Sequence, residues 1–458
     1  MLLSALVMTV QAEAQYVKFP GGPCRLYRVT LADKHGTPYS LTHPEKFLSA
    51  KAIARRNKQK AGIDSTDLPI TPAYIATIEK KGAQAVSKSK WNNTVLIKVT
   101  KGTRLNEIES LPFVKSVKCV YTAPDSIAST SCSTVEEDTT KSYATTVYGC
   151  ADAQIGTLNG KKLHEAGFRG KGMTIGIIDG GFMNTDRIAL LKSVNILGAR
   201  NFAYPATQSV YRELDHGTCV LSTMAANVPG RMVGTAPDAA YWLLRSEYGP
   251  TESEAEEDFW AAAAEFADSV GVDIINSSLG YHDFDDAATS HTYRQLDGRT
   301  ALISRTASML ADKGIILCNS AGNDGAAEWK KIGVPADAHD ILAVGAMKCD
   351  SINTTFSSVG NTADGRVKPD IMAMGYQCAV IRGNGQISHA NGTSFASPVA
   401  CGLVACLWQA LPQCTAKQVM DIVRQASDRH EWPDNIYGYG IPDFWKAYTE
   451  GAGGNNMK

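Results

Sequence analysis

Short runs of apolar residues, each about as long as one strand, recur along the second half of this chain and alternate with helical stretches. The runs occupy residues 173–178, 239–244, 272–275, 315–318 and 341–344. They are continuous rather than alternating, which is typical of parallel strands that are buried on both faces. Because strand and helix follow each other regularly, we expect a parallel sheet with helices packed against both of its faces.

Four polar residues follow one of these runs or begin a helix. Asp179 directly follows the first run, His216 begins an apolar helix after a loop, Asn323 comes shortly after the run at 315–318, and Ser394 precedes a further helix. The carboxyl ends of parallel strands lie along one edge of a sheet, so these residues are expected to converge there. Taken alone, Asp179 could belong to a turn, His216 could be structural and Ser394 could cap its helix.

The sequence around Ser394 predicts a loop before this residue and a buried helix after it. Residues 397–411 are apolar on almost every face, which is typical of a core helix, and Pro398 suits its first turn. The glycines in Gly383-Asn384-Gly385 and at Gly392 predict that the chain reaches Ser394 as a loop. Free backbone N–H groups and the helix dipole favour negative charge at this position, which suits a nucleophile whose reaction makes an oxyanion.

Considered together, the four residues have the chemistry of acyl transfer. Ser394 is a weak nucleophile until a base takes its proton, and His216 can act first as that base and then as the acid for the leaving amine. Asp179 would fix the tautomer of His216 and stabilise the imidazolium. Asn323 and the backbone N–H of Ser394 would donate hydrogen bonds to the oxyanion.

Several local sequences occur in an order that is known from one enzyme family. They are Asp179-Gly180-Gly181, His216-Gly217-Thr218, Ser278-Leu279-Gly280, Ser320-Ala321-Gly322-Asn323 and Gly392-Thr393-Ser394-Phe395-Ala396-Ser397-Pro398. Over residues 150–448 the chain thereby resembles the subtilisin-like serine protease family, the subtilases of peptidase family S8. The family usually has Asp-Ser-Gly or Asp-Thr-Gly at the first acid, so the glycine at position 180 removes a hydroxyl but keeps the carboxylate.

The resemblance implies an α/β fold of three layers with a mostly parallel sheet, preceded by a small α+β propeptide domain. It implies a secreted serine endopeptidase that works through an acyl-enzyme and is made as a self-processing zymogen. In such an enzyme Ser278, Leu279 and Gly280 would bind the substrate backbone, and Ala321 and Gly322 would line the adjacent pocket. The expected partners are protein or peptide substrates and the chain's own propeptide as an intramolecular inhibitor. The alternative is a catalytically inactive subtilisin-fold protein that binds peptides.

Three further sequence features concern a possible metal site, a cysteine near His216 and an acidic segment. No cofactor is expected to be required. Structural calcium is common in the family, but its ligands here are unknown. Asp283, Asp285 and Asp286 form either a calcium site or a solvated loop. Cys219 is either a free thiol close to His216 or a small buried residue. The acidic residues at 254–258 are expected to face solvent.

Charge divides the chain into two parts. Residues 15–126 contain 19 Lys and Arg against 8 Asp and Glu, whereas residues 127–458 contain 26 against 37. The two parts are therefore expected to dock on each other. The net charge of −1 gives no indication of nucleic-acid binding, and no later stretch approaches the length of a membrane span.

These observations predict a series of segments along the chain. Residues 1–14 resemble part of a secretory signal without its basic region, so the protein is expected to be exported. Residues 15–123 are predicted to form the propeptide domain, and the polar stretch 124–149 a linker that contains the processing site. The peptidase domain is assigned to residues 150–448 and a flexible tail to 449–458.

Overall fold

The computed structural model of the protein describes residues 16–129, 132–136, 146–205 and 209–453. The signal-like stretch at 1–14, parts of the predicted linker and the last five residues of the predicted tail lie outside this description. The predicted domain boundaries and the position of the processing site stay predictions.

The N-terminal part forms a four-stranded antiparallel sheet with the order β3-β4-β2-β5, together with short helices. Its elements are β1 (Tyr16–Lys18), β2 (Arg25–Leu31), α1 (Ala50–Gln59), α2 (Pro72–Glu79), β3 (Gln84–Ser89), β4 (Thr94–Val99), α3 (Leu105–Glu109), β5 (Val114–Thr122) and β6 (Ser126–Ala128). Strand β2 shows how the sequence builds this unit, because its residues alternate between two faces. Val29 and Leu31 pack on the domain's own helices, whereas Leu26 belongs to a second cluster that is shared with the following domain.

The C-terminal part contains a seven-stranded parallel sheet with the order β15-β14-β13-β12-β7-β11-β8. The described strands of the whole C-terminal part, including two short antiparallel pairs outside this sheet, are β7 (Thr174–Asp179), β8 (Asn195–Asn201), β9 (Asn227–Val228), β10 (Met232–Val233), β11 (Ala240–Arg245), β12 (Ile274–Ser277), β13 (Ile316–Ser320), β14 (Leu342–Met347), β15 (Ile371–Met374), β16 (Cys378–Ile381) and β17 (Ile387–Ala390). Its α-helices are α4 (Asp152–Gly156), α5 (Gly160–Glu165), α6 (His216–Ala225), α7 (Ala255–Val270), α8 (Leu302–Met309), α9 (Thr393–Ala410), α10 (Ala416–Gln425) and α11 (Phe444–Gly453).

Two apolar clusters lie on the two faces of this sheet. One is formed with residues of α6 and α9, and the other with residues of α7 and α8. The expected three-layer α/β fold is therefore confirmed, and each of the five apolar runs forms a buried parallel strand. Among the described residues, α9 is the one helix whose length and composition would allow it to cross a membrane, but it is 89% buried, as a core helix is.

Three local expectations differ from the structure. The glycine-containing approach to Ser394 is not a loop throughout, since β16 and β17 pair as a hairpin around Gly383–Gly385. Residues 449–453 continue helix α11 instead of beginning a flexible tail. Within the predicted linker, residues 126–128 pair with β1, because the partner strand supplies the hydrogen bonds that polar composition alone does not.

The acidic residues 254–258 were expected to face solvent, and this is wrong. Glu254, Glu256, Glu257 and Asp258 are all less than 5% exposed. Arg28 of the N-terminal domain pairs with Glu254 and Asp258, and His291 pairs with Glu257. A pattern of charge on one helix cannot show that a domain of opposite charge covers it, although the charge difference between the two halves of the chain did predict such docking.

Candidate active site

Asp179 is the last residue of β7, at the carboxyl edge of the sheet. Every residue of β7 is buried, and Asp179 itself is 0% exposed. Its Oδ1 accepts the backbone N–H of Gly180 at 2.8 Å, while its Oδ2 is buried without a hydrogen-bond partner in the described part of the chain. The next residue, Gly181, packs so closely on the backbone of Glu213 that a side chain would collide with it. The two glycines thus allow the strand to end against the loop before α6.

His216 is the first residue of α6, and its Nδ1 lies 2.8 Å from Asp179 Oδ1. Burial disfavours the imidazolium, but the charge and hydrogen bond of Asp179, with smaller contributions from Glu247 and Asp215, outweigh it and raise the pKa of His216 to about 9. The side chain of His216 is 38% exposed, so its other edge can meet a substrate. The structure therefore brings the predicted acid and base into direct contact.

Ser394 lies in the first turn of α9, and Gly392 directly precedes that helix. Gly392 has φ of 151°, a conformation that favours glycine, and its N–H donates to the carbonyl of Gly375 at 2.8 Å. The Ser394 hydroxyl donates to the carbonyl oxygen of Ser278 at 3.3 Å, and within the described residues no hydrogen bond joins it to His216. Catalytic hydrogen bonds are often long or poorly aligned before substrate binds, and a rotation about one side-chain bond redirects this hydroxyl.

Asn323 follows β13 and is held beside the start of α9. Its Oδ1 accepts the backbone N–H of Thr393 at 2.9 Å and the Thr393 hydroxyl at 3.1 Å. Its amide nitrogen lies on the side of Gly392, 3.7 Å from the position that a Cβ on that glycine would take. The side chain is exposed, so its N–H groups are available to a group that enters beside Ser394.

Of the five residues predicted to bind substrate, Ser278 contacts Ser394 and Gly322 contacts the preceding Thr393. The Ser278 hydroxyl donates to the carbonyl of Ser394 at 2.8 Å, and Asn319 Nδ2 donates to the carbonyl of Leu279 at 3.1 Å. Gly280, Ala321 and Gly322 complete the two segments that follow β12 and β13. Gly322 has φ of 112°, and its N–H donates to Thr393 Oγ1 at 3.1 Å. Their role in substrate binding stays a prediction.

Sequence reasoning missed Glu247, which lies behind the acid–base pair. Its Oε1 accepts the Tyr281 hydroxyl at 2.9 Å, and its Oε2 lies 2.9 Å from where a Cβ on Gly180 would be. Burial and the neighbouring charge of Asp179 raise the pKa of Glu247 to about 7. No local motif marks this residue; the one available signal is the missing side chain at position 180, which leaves the space that the carboxyl group occupies.

Two further sequence hypotheses can be compared with the structure. Cys219 is fully buried, and burial with the nearby Asp215 raises the pKa of its thiol to about 12, which matches the interpretation as a small buried residue. Asp285 accepts the N–H of Glu252, which precedes α7, and Asp286 accepts the N–H of Ala288 in its own loop, so both carboxylates bind backbone N–H groups. The described residues contain no group of three or more His, Cys, Asp or Glu suited to a metal ion. A structural calcium ion and the absence of a required cofactor both stay predictions.

Comparison with known proteins agrees with this architecture. The subtilase family model matches residues 170–440, and a peptidase S8 propeptide domain of Bacteroidota matches residues 26–137. Subtilisin NAT of Bacillus subtilis subsp. natto is 27% identical over 390 residues, which cover 83% of this chain and 91% of the relative. Serine protease AprX of Bacillus subtilis (strain 168) is 27% identical over 59% of this chain and 65% of its own length. Subtilisin-like protease SBT6.1 of Arabidopsis thaliana is 28% identical over 52% of this chain and 21% of its own length. The chain belongs to the subtilase family of serine peptidases and carries a propeptide domain of that family.

Proposed function

We propose that this protein is an exported serine endopeptidase that hydrolyses peptide bonds with Asp179, His216 and Ser394 and processes its own precursor. The observation that carries the proposal is the 2.8 Å hydrogen bond between Asp179 and His216 at the sheet edge where the core helix presents Ser394. Export is inferred from the signal-like residues 1–14.

The reaction begins when the Ser394 hydroxyl turns from Ser278 toward the free nitrogen of His216. Ser394 Oγ attacks the substrate carbonyl carbon while His216 takes its proton, and the Asp179 carboxylate stabilises the imidazolium. The oxyanion accepts hydrogen bonds from Asn323 and from the backbone N–H of Ser394. His216 then gives the proton to the leaving amine, an acyl-enzyme remains on Ser394, and a water molecule activated by His216 releases the acid.

The described segments of the linker before and after residues 130–131 support cleavage within residues 124–149. On one side, β6 pairs with β1 of the propeptide domain. On the other side, residues 132–136 lie on the peptidase domain, where Asn184 Nδ2 donates to the carbonyl of Ser133 at 2.8 Å and the N–H of Glu136 donates to the carbonyl of Asn384 at 2.7 Å. Asn184 Nδ2 also donates to the carbonyl of Gly383. The N–H of Gly383 in turn donates to the carboxylate of Asp215, the residue directly before His216. The linker thus approaches the proposed catalytic residues.

The orientation of Ser394 toward Ser278 instead of His216 is the observation that favours the second candidate, an inactive peptide-binding protein. Intact-mass measurement and casein digestion by the purified full chain separate the two candidates. We expect cleavage within residues 124–149 and progressive digestion of casein. A chain that stays at full length, and that remains inert after the linker is cut by another protease and the propeptide domain is removed, would instead indicate a binding protein.

Asn323→Asp keeps an oxygen that accepts from Thr393 but removes the N–H groups proposed to bind the oxyanion. We expect kcat to fall by about 10²–10³-fold, with KM changed much less, because the lost interaction forms in the transition state. The measurement is steady-state hydrolysis of a peptide substrate by the processed enzyme. Asn195→Ala, at the exposed start of β8, is the matched control. A rise in KM at constant kcat would assign Asn323 to substrate binding instead.

The pH dependence of the reaction follows from the raised pKa of His216. His216 accepts the Ser394 proton only in its neutral form, so kcat/KM is expected to rise with pH and to reach half its maximum near pH 9. Glu247→Gln removes a negative charge that favours the imidazolium and should move this midpoint to lower pH by about one unit. Glu252→Gln, a neighbour of Glu247, is the control and should leave the midpoint unchanged. A wild-type midpoint near 6.5, or equal midpoints in wild type and Glu247→Gln, would contradict this account.

A further inference from the structure

A groove lies on the surface where the propeptide domain meets the peptidase domain. Its volume is about 610 Å³, within the range of about 300–1,000 Å³ that is usual for small-molecule sites. Residues of β3 and of the segments before α2 line it from the propeptide side. Residues 200–204, at and after the end of β8, and residues of α7 line it from the peptidase side. None of the proposed catalytic residues is among them, so the groove is distinct from the candidate active site.

Aromatic side chains form much of the groove wall. On the propeptide side, the rings of Tyr39 and Phe47 meet edge to face with their centres 6.2 Å apart. On the peptidase side, the wall contains Phe202, Tyr204 and Phe266. All five side chains are only half-buried, so part of each ring is accessible. Contiguous accessible apolar surface on a soluble protein marks a site for a ligand or a partner, and a ligand of this groove therefore has an apolar body.

Two cationic side chains line the same groove, one from each domain. The guanidinium of Arg200 lies 4.9 Å from the ring centre of Phe202 and 4.8 Å from that of Phe266. These contacts restrict the side chain and leave its N–H groups without a carboxylate partner. Lys88, on β3, is exposed. Among the described residues, no ion pair joins either Arg200 or Lys88 to a carboxylate.

The groove also contains one carboxylate, that of Glu265 on α7, but its oxygens are already bound. They accept the hydroxyl of Ser89 at 2.5 Å and the backbone N–H groups of Lys90 and Trp91 at 2.8 and 3.0 Å. The side chain is buried against the propeptide domain and does not neutralise the two cations. The positive charge of the groove is therefore uncompensated, and a complementary ligand carries a negative charge.

We propose that this groove binds a long-chain carboxylate, with the aliphatic chain against the aromatic wall and the carboxylate bound by Arg200 and Lys88. The planar fork of N–H groups on an arginine matches the two oxygens of a carboxylate. Because residues of both domains line the groove, the ligand binds the precursor, in which the two domains are joined. The site does not depend on the proposed peptidase activity.

The test uses the full chain with Ser394→Ala, so that the precursor is not cut by its own activity. Isothermal titration calorimetry measures the binding of decanoate below its micelle concentration, with decanol as the uncharged probe. We expect one decanoate per chain and a dissociation constant at least about 10-fold higher for decanol. Octanoate lacks two CH₂ groups and should bind about 10-fold more weakly than decanoate.

Substitutions test the groove from both domains. Arg200→Gln on the peptidase side and Lys88→Gln on the propeptide side should each weaken decanoate binding by about 10-fold and leave decanol binding unchanged. Arg294→Gln is the matched control, because Arg294 is an exposed arginine outside the groove. Ala262→Phe fills the apolar part of the groove from α7 and should weaken the binding of both probes. Thermal unfolding of each variant tests whether it is folded.

Equal dissociation constants for decanoate and decanol would overturn the proposal. Equal decanoate binding by Arg200→Gln, Lys88→Gln and Arg294→Gln would also overturn it, as would several decanoate molecules per chain together with a lowered unfolding temperature. A loss in Arg200→Gln without a loss in Lys88→Gln would contradict a site that both domains form. Tighter binding of an acetylated tripeptide of leucine and valine than of decanoate would assign the groove to a peptide instead.

Discussion

Replacement of Ser394 with alanine is expected to leave the chain uncut within residues 124–149 and to lower casein hydrolysis by at least about 10⁴-fold. In the proposed reaction the hydroxyl oxygen of Ser394 forms the acyl-enzyme, and no other group at the start of α9 takes its place. The substitution removes one oxygen and its 3.3 Å hydrogen bond to Ser278, so the fold should be unaffected. Intact-mass measurement shows the processing, and casein digestion shows the activity.

Ser388→Ala, six residues earlier on β17, is the matched control and should process and digest casein as the wild type does. Because the propeptide is expected to inhibit an unprocessed chain, the Ser394→Ala chain is additionally cut at an engineered linker site and separated from its propeptide domain before the assay. A Ser394→Ala chain that matures and digests casein would exclude Ser394 as the nucleophile. A cut Ser394→Ala chain that regains activity would have the same consequence.

The pattern of strand ends was sufficient to predict where the candidate site lies. Asp179 ends β7, Asn323 follows β13, and His216 and Ser394 begin or nearly begin helices that return over the sheet. In a parallel sheet these positions share one edge whatever the side chains around them are, so the prediction did not require knowledge of packing. Ser278, which the family resemblance assigned to substrate binding, follows β12 and contacts Ser394.

Features that depend on a single torsion or on a distant neighbour could not be predicted in this way. The hydroxyl of Ser394 faces Ser278 because of its side-chain rotamer, which the sequence does not encode locally. Glu247 lies behind Asp179 because position 180 has no side chain, and two residues 67 positions apart show no pattern that connects them.

The burial of the acidic face of α7 could not be predicted either, because it depends on contacts with another domain. Charged residues at helical spacing usually face water, and only the partner domain decides otherwise. Arg28 and Arg56 lie on different elements of the propeptide domain, yet each meets an acidic residue on or beside this helix. The overall charge difference indicated that the domains dock, whereas the surfaces that dock became visible only in the structure.

Asp179→Asn is expected to lower kcat by about 10⁴-fold while the chain remains folded. The carboxylate accepts the N–H of His216 Nδ1 at 2.8 Å, which leaves the other ring nitrogen free to take the proton of Ser394. An asparagine at this position can present an N–H to His216, which then adopts the other tautomer and cannot act as the base. The measurement is kcat of the processed enzyme, obtained by cutting an engineered linker site and removing the propeptide domain if the variant does not process itself.

Asp215→Asn is the control, because Asp215 is adjacent to His216 and also raises its pKa, yet its carboxylate binds Gly383 and does not bind the imidazole. We expect Asp215→Asn to change kcat by less than about 10-fold. If charge near the imidazole were all that mattered, the two substitutions would have similar effects. A large loss that is confined to Asp179→Asn would instead indicate that the hydrogen bond to Nδ1 orients the base, and a small loss in both variants would contradict the role proposed for Asp179.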